Sequence, residues 1–387
     1  LAFTMPQING RQIKQAAALV ALLAGGIYLA MSGFGIATQR AFIMVSVMLV
    51  AILLDRPAIS LRSLVIAALI ILILRPENLL HPGFQMSFAA TSALIAGFEA
   101  LRHVLHRQKF FLLKEGSALV LSSFLAGAAT APIAAFHFNR IALYGLPANL
   151  LTVPLMGLVI VPFLMLGAVV DIIGLGWLFF MPVEWAITWI LEVAHRTAAQ
   201  NGSVLSIGST PISALVGLVI AWSVFLFLKG PVRWVALVTC AVPLIFWGNA
   251  ERPDILVSAR SGAVGINVGY IRIVNKERAA RFEITQWLEN DGSHLVQEDA
   301  FALWPKKNPA IFDEKILVYS GSKKPKDWLP CAAGTLVIAP KLDVSLRGEC
   351  EQITARSFKG TSAFQIYFKE KGAEIAPVSG SGRLWQN

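Results

Sequence analysis

Apolar residues along this chain come in long unbroken runs up to about residue 247, and in short alternating runs after it. A membrane-spanning helix needs about 20 mostly apolar residues. On that measure, with ends reaching into polar flanks, nine spans are expected: Ala16 to Met31, Ala41 to Leu54, Leu61 to Leu74, Met86 to Leu101, Gly116 to Phe136, Leu150 to Ile173, Trp177 to Ala194, Pro211 to Leu228 and Val232 to Trp247. Beyond Trp247 the runs "DILVSA", "GAVGINV", "YIRIVN", "KILVYS", "TLVIAP" and "AFQIYF" have the length and β-branched content of strands, and "RFEITQWLEND" reads as a short helix. The expected architecture is a polytopic α-helical membrane region over 1–249, with re-entrant or broken helices, followed by a small α/β soluble domain over 250–387.

Two stretches interrupt the apolar pattern. "LLHPGFQMSF" places His81, Pro82, Gly83 and Gln85 between the third and fourth spans, where Pro82 and Gly83 should break the helix. "GLPANLLTVPLMGLVIVPF" carries Pro147, Pro154 and Pro162 with Asn149. A proline inside a helix removes one backbone donor and frees a carbonyl four residues back. At membrane depth such groups are tolerated only against protein or water. The second stretch is therefore expected to be discontinuous or re-entrant. Paired broken elements of this kind build substrate paths in transporters, and kinked helices serving packing alone are the other reading.

Charge sharpens the topology. The chain is 56% hydrophobic and only 14% charged, with a formal net charge of +10. Residues 1–250 hold 14 Lys/Arg against 7 Asp/Glu, whereas 251–387 hold 19 against 16. Glu184 and Glu192 make the seventh run the doubtful one, since it could also lie flat in the interface. With it counted, Arg11, Lys14, Arg56, Arg62, Arg102, Arg107, Lys109, Lys114, Lys229 and Arg233 share one side, and only Arg40, Arg75, Arg140 and Arg196 occupy the other side's short loops. Positive loops stay cytoplasmic, so the HPGFQM turn and the soluble domain should both lie on the outer face.

Enzyme chemistry finds little support. A dinuclear metal site needs clustered His and Asp ligands, and His294, the soluble region's one histidine, stands outside any His-x-His-x-Asp-His run. There is no phosphate-binding Gly-x-x-x-x-Gly-Lys-Ser/Thr loop. No catalytic residue, metal site or cofactor is expected. Asp171 and Glu184 lie near span ends, so no mid-membrane proton relay is visible. Cys240 lies in an apolar run as a packing residue, whereas Cys331 and Cys350 form a disulfide if their domain faces an oxidising compartment, or remain two free thiols.

Three stretches, in order, carry a resemblance. "HPGFQMSFAATSALI" resembles the Pro-Gly-Phe-Gln-Leu-Ser-Phe segment of the ComEC family, the inner-membrane DNA-uptake channels of natural competence. "YLAMSGFGIATQRAFIM" is similar to its Ser-Gly to Arg-Ala region through Ser32, Gly33, Arg40, Ala41 and Met44. "FHFNRIALYGLPANLLTVPL" resembles its Ala-Asn-Leu region through Ala148, Asn149, Leu150, Pro154 and Leu155. The tail resembles a degenerate metallo-β-lactamase-like domain. The chain starts at Leu1 and lacks the N-terminal barrel common in members, so we expect it to be N-terminally truncated.

The resemblance implies passage of single-stranded DNA through the bundle in the bacterial inner membrane. A single strand needs cations for phosphates and aromatic faces for bases. Arg40, Arg75 and Arg140 supply the first, with Phe84, Phe88, Phe136, Phe138 and Tyr144 beside them. His81, Gly83 and Asn149 complete the path, and Gln85 and Ser87 would hydrogen-bond to the strand. Singly, each arginine is as readily an interfacial anchor and each phenylalanine a lipid-facing or core residue. The implied partners are the lipid bilayer, an outer DNA receptor, a type IV pilus and cytoplasmic DNA-receiving factors, with a second copy of the chain as a candidate in a homo-oligomer. The competing functions are a membrane-anchored nuclease of the uptake machinery and a transporter of another anionic polymer or a lipid.

Overall fold

The structure is a computed structural model that describes residues 10–106, 111–228, 235, 238, 241–248, 251–269, 271–312, 315–321, 331–343, 348–358, 361–369 and 372–378. The chain divides into two compact units, Leu1–Leu205 with Leu215–Pro243 and Ser206–Ala214 with Leu244–Asn387.

The first unit is helical. In chain order it holds α1 (Gly10–Met31), α2 (Ile36–Leu53), α3 (Leu61–Leu74), α4 (Pro82–His106), α5 (Phe111–Phe138), α6 (Gly145–Leu155), α7 (Val161–Val170) and α8 (Trp177–Ala198), and α9 (Ile212–Phe227) belongs to it from Leu215 onward. Sequence neighbours pack together, α1 on α2, α2 on α3, α3 on α4, α4 on α5, α5 on α6 and α7 on α8. The turns are made by residues that tolerate left-handed backbone. Gly33 and Phe34, both at positive φ, close the α1–α2 link, and Gly174 ends the 3-10 turn Asp171–Ile173 before α8.

Helices meet on small residues. Ala67, Ala93, Ala135 and Ala186 are buried, while Met31, Ile73, Leu158 and Ile172 point outward at 74–86% exposure. At Gly25 an added Cβ would lie 3.3 Å from the Phe42 ring, so that glycine lets α1 and α2 approach. This is the pattern of packing in lipid, where apolar side chains gain nothing by avoiding the tails and close contact decides. Among the described residues five helical runs are long and apolar enough to cross a membrane: Gly10–Met31, Ile36–Leu53, Gly116–Phe138, Gly145–Ile173 and Trp177–Ala198. Leu61–Leu74 and Ile212–Leu226 are shorter apolar helices. Part of the ninth expected span, Cys240 included, falls outside the described residues; its described end is α10 (Ala241–Gly248).

Two expectations about broken helices are corrected. Pro82 and Gly83 do not interrupt a helix. They begin α4, after a 3-10 turn Pro76–Leu80. Pro147 likewise lies in the first turn of α6, where the missing N–H has no helical partner to lose. Pro154 and Pro162 are interior to a continuous helical run, so the chain does not turn back there. A π-helical turn, Met156–Ile160, absorbs the register change, and the Val161 N–H reaches back to the Met156 carbonyl.

Two short strands come first in the chain, β1 (Arg140–Ala142) after α5 and β2 (Val204–Ser206) after α8. The second unit is built of strands. β3 (Ile255–Ser258), β4 (Val264–Val268), β5 (Ile271–Val274), β10 (Ala363–Lys369) and β11 (Gly372–Val378) form an antiparallel sheet in the order β11-β10-β3-β4-β5. Its register lines up Ile375, Ile366, Ile255, Ile266 and Ile273 across all five strands. A second sheet, β6 (Ala310–Phe312), β7 (Ile316–Val318), β8 (Leu336–Ala339) and β9 (Glu351–Thr354), pairs β6 antiparallel to β7 and runs β7, β8 and β9 parallel. Its row Ala310, Val318, Ile338, Ile353 joins the isoleucine row in one core. Because side chains alternate faces, the next residues serve other layers. Val274 packs with Ile284 and Leu288 of α11 (Arg281–Asn290) and Ala300 of α12 (Gln297–Ala302). Leu317, Tyr319, Val337 and Ala339 pack with Leu342 and the Cys331–Cys350 disulfide.

Candidate nucleic-acid interface

The polar interruption of the helical unit is organised by His81. It precedes a proline, which bars helical backbone, and it adopts φ −77° and ψ 125°. Its carbonyl accepts the N–H groups of Phe84 at 3.0 Å and Gln85 at 3.2 Å, and its Nδ1 accepts that of Gly83 at 3.1 Å. Pro82 has no N–H, so His81 caps every donor of the first turn of α4. His81 Nδ1 is thus an acceptor within the cap of α4.

The available positive charge comes from α2. Arg40 lies over Gly83, so closely that an added Cβ would stand 2.7 Å from its Nη1 and 3.1 Å from its Nη2. Glycine at 83 is what admits the guanidinium to the start of α4. Gln85 ties three elements together. Its Nε2 donates to the Leu79 carbonyl at 2.9 Å, and its Oε1 lies 2.9 Å from His137 Nε2 on α5. Since the amide oxygen only accepts, His137 Nε2 donates. Phe84 is buried, and its ring lies 4.4 Å, centroid to centroid, from that of Phe88 one turn on. His137 packs edge-on against Phe136 at 5.0 Å.

The structure therefore gathers Arg40, His81, Pro82, Gly83, Phe84, Gln85 and Phe88 at one end of the bundle. Ser87 lies on the same turn, its carbonyl accepting the Thr91 hydroxyl at 2.8 Å. Arg75 at the end of α3, Arg140 on β1 (Arg140–Ala142), which follows α5, and Asn149 on α6 are exposed. His137 escaped sequence reasoning, because one histidine at the end of an apolar run gives no sign of the glutamine it meets 52 residues away.

Residues 2–232, which include this whole arrangement, match the family described as Competence protein. The chain belongs to the competence protein family. Over 191 residues it is 27% identical to ComE operon protein 3 of Bacillus subtilis (strain 168), an alignment covering 48% of this chain and 23% of that relative. The chain thus matches less than a quarter of that curated relative's length. No solved structure matches.

In this competence-family chain the sheet unit's strands β3 to β11 lie beyond the family match. Its histidine, His294, is exposed and lies 3.3 Å from the Ser206 hydroxyl through Nδ1. Among the described residues no three His, Cys, Asp or Glu side chains converge as a metal site. Its buried charge is instead an ion pair. Arg272, fully buried, is bidentate to Asp291 and also donates to the carbonyls of Gly265 at 3.2 Å and Pro253 at 2.8 Å. Every guanidinium nitrogen is thereby engaged, which is the condition for holding such a charge in a core.

Proposed function

We propose that the helical unit carries one strand of DNA across the bacterial inner membrane during natural transformation, and that the start of α4 forms part of the outer mouth. The observation that carries this reading is Arg40 laid over Gly83 beside the Phe84–Phe88 pair, inside the competence-family match. A guanidinium suits a passing phosphate, and neighbouring aromatic rings suit unstacked bases. With the α4 amides already capped by His81, Arg40 is the group left to meet an anion there. Gln85 then serves the path by holding α4 to α5 through His137.

The proposal includes nine spans, with the seventh crossing the bilayer and the sheet unit on the outer face. The Cys331–Cys350 disulfide favours that placement, since such bonds persist in oxidising compartments. Two sheets sharing a core, with two helices packed against one of them, favour a degenerate metallo-β-lactamase-like domain. An outer DNA receptor, a type IV pilus and cytoplasmic receiving factors are the proposed partners. The test is transformation by cells whose full-length protein carries Arg40→Ala or Gln85→Leu, with DNA followed into periplasm and cytoplasm. Normal periplasmic entry with cytoplasmic DNA lost, at normal protein levels, is expected. Unchanged transformation in both variants overturns the reading.

A further inference from the structure

The sheet unit holds a cavity of about 270 Å³ where the segment after α12 passes the ends of β5 and β7, lined in part by Asn275, Trp304, Lys306, Lys307, Asn308 and Ser320. Its back wall is built, not incidental. Asn275 is buried, accepts the Val264 N–H at 2.8 Å, and donates to the Gly262 carbonyl at 3.2 Å and the Ser320 hydroxyl at 3.3 Å. Asn308 Oδ1 accepts the Ser320 N–H at 3.2 Å. The Ser320 oxygen, already accepting from Asn275, keeps its own proton to donate. Trp304 is anchored through a T-shaped contact with Phe312 at 5.2 Å. Lys306 and Lys307 are exposed at the rim. Next to Asn275, Lys276 is held below the usual lysine range by burial and by Lys341.

We propose that this cavity binds one nucleotide unit of single-stranded nucleic acid, Lys306, Lys307 and the Ser320 hydroxyl meeting its phosphate and Trp304 its base. Cations paired with an aromatic wall are the elements of single-strand binding, and the volume, just under the range of about 300–1,000 Å³ for small-molecule sites, suits one unit. The inference rests on DNA being the cargo of the helical unit, and its test separates the two.

The full chain in neutral-lipid nanodiscs is titrated with a fluorescein-labelled oligothymidylate under oxidising conditions. Replacing both rim lysines (Lys306→Ala with Lys307→Ala) should raise Kd at least about tenfold. It should also lower the slope of log affinity against log salt by about 0.7, the value for one phosphate contact on a single strand. Lys315→Ala, an exposed lysine outside the cavity, should leave both unchanged. Unchanged binding in the double variant overturns the pocket, even if Arg40→Ala abolishes uptake. Lost binding there, with uptake untouched by Arg40→Ala, keeps the pocket and overturns the channel. Inorganic phosphate displacing the oligonucleotide as well as thymidine monophosphate does would make this a free-phosphate site and overturn the nucleotide assignment.

Discussion

The two units use inverse cores. In the helical unit the most deeply buried positions are alanines, Ala67, Ala93, Ala135 and Ala186, and many large aliphatics face outward. In the sheet unit the fully buried positions are large and β-branched, among them Ile255, Ile338, Ile353, Ile366, Val257 and Val337. The contrast follows from the solvent. Water drives bulky apolar side chains inward, whereas in lipid they gain nothing by moving inward and helix contacts reward close approach. Polar groups divide the same way. The sheet unit buries a complete Arg272–Asp291 pair, while the helical unit gathers Arg40, His81, Gln85 and His137 at one end of its helices.

The largest expected effect breaks the sheet unit alone. Arg272→Met leaves Asp291 without its partner in a nearly closed site and should cost about 3–5 kcal/mol. Denaturant unfolding of the full chain should show this loss in the sheet unit's transition, with helix content retained. A matching Asp291→Leu change should recover most of it. Next comes the helical unit's dependence on small residues. Ala186→Leu overpacks a fully buried helix contact and should cost about 1–3 kcal/mol. Ile172→Ala, on an outward-facing residue at 86% exposure, should stay within about 0.5 kcal/mol. Thermal unfolding in one detergent reads both, and equal losses would contradict the inverse-core account.

The smallest effect is a pH dependence of the sheet unit. Burial, with the Lys341 ammonium second, holds Lys276 below the ordinary lysine value. The folded state then binds fewer protons than the unfolded one between that lowered value and about 10.4. Stability should therefore rise with pH across that window, and the penalty should be fully present below it. Lys341→Ala should flatten the rise. Unfolding midpoints measured from neutral to alkaline pH check the sign, and a fall with pH would be wrong for this cause.

Much of this contrast could be read from residue order. Runs such as "TLVIAP" and "AFQIYF" become β8 and β10 because alternation and β-branching state their own geometry. β6 and β9 escape sequence reading because "AIF" and "EQIT" are too short to signal without their neighbours, and β11 because Gly372, Glu374 and Pro377 in "GAEIAPV" mask a strand. In the helical unit, proline does not mark interruption. Pro82 and Pro147 sit in first turns, and Pro154 and Pro162 are absorbed by one π turn. The HPGF cluster was locatable, yet its contacts with Arg40 and His137 depend on helix packing, which no local pattern encodes. Arg272 read as an ordinary strand residue because its acceptors, Asp291 and two carbonyls, come from other elements.

The central claim is that incoming DNA passes the start of α4. Its most direct measurement places a photo-crosslinking p-azidophenylalanine at Phe88, and separately at outward-facing Ile172, in cells taking up labelled DNA. The account predicts crosslinks of single-stranded DNA to the protein at position 88 and background at 172. Background at 88, or equal crosslinking at both positions, in cells that still transform would contradict it.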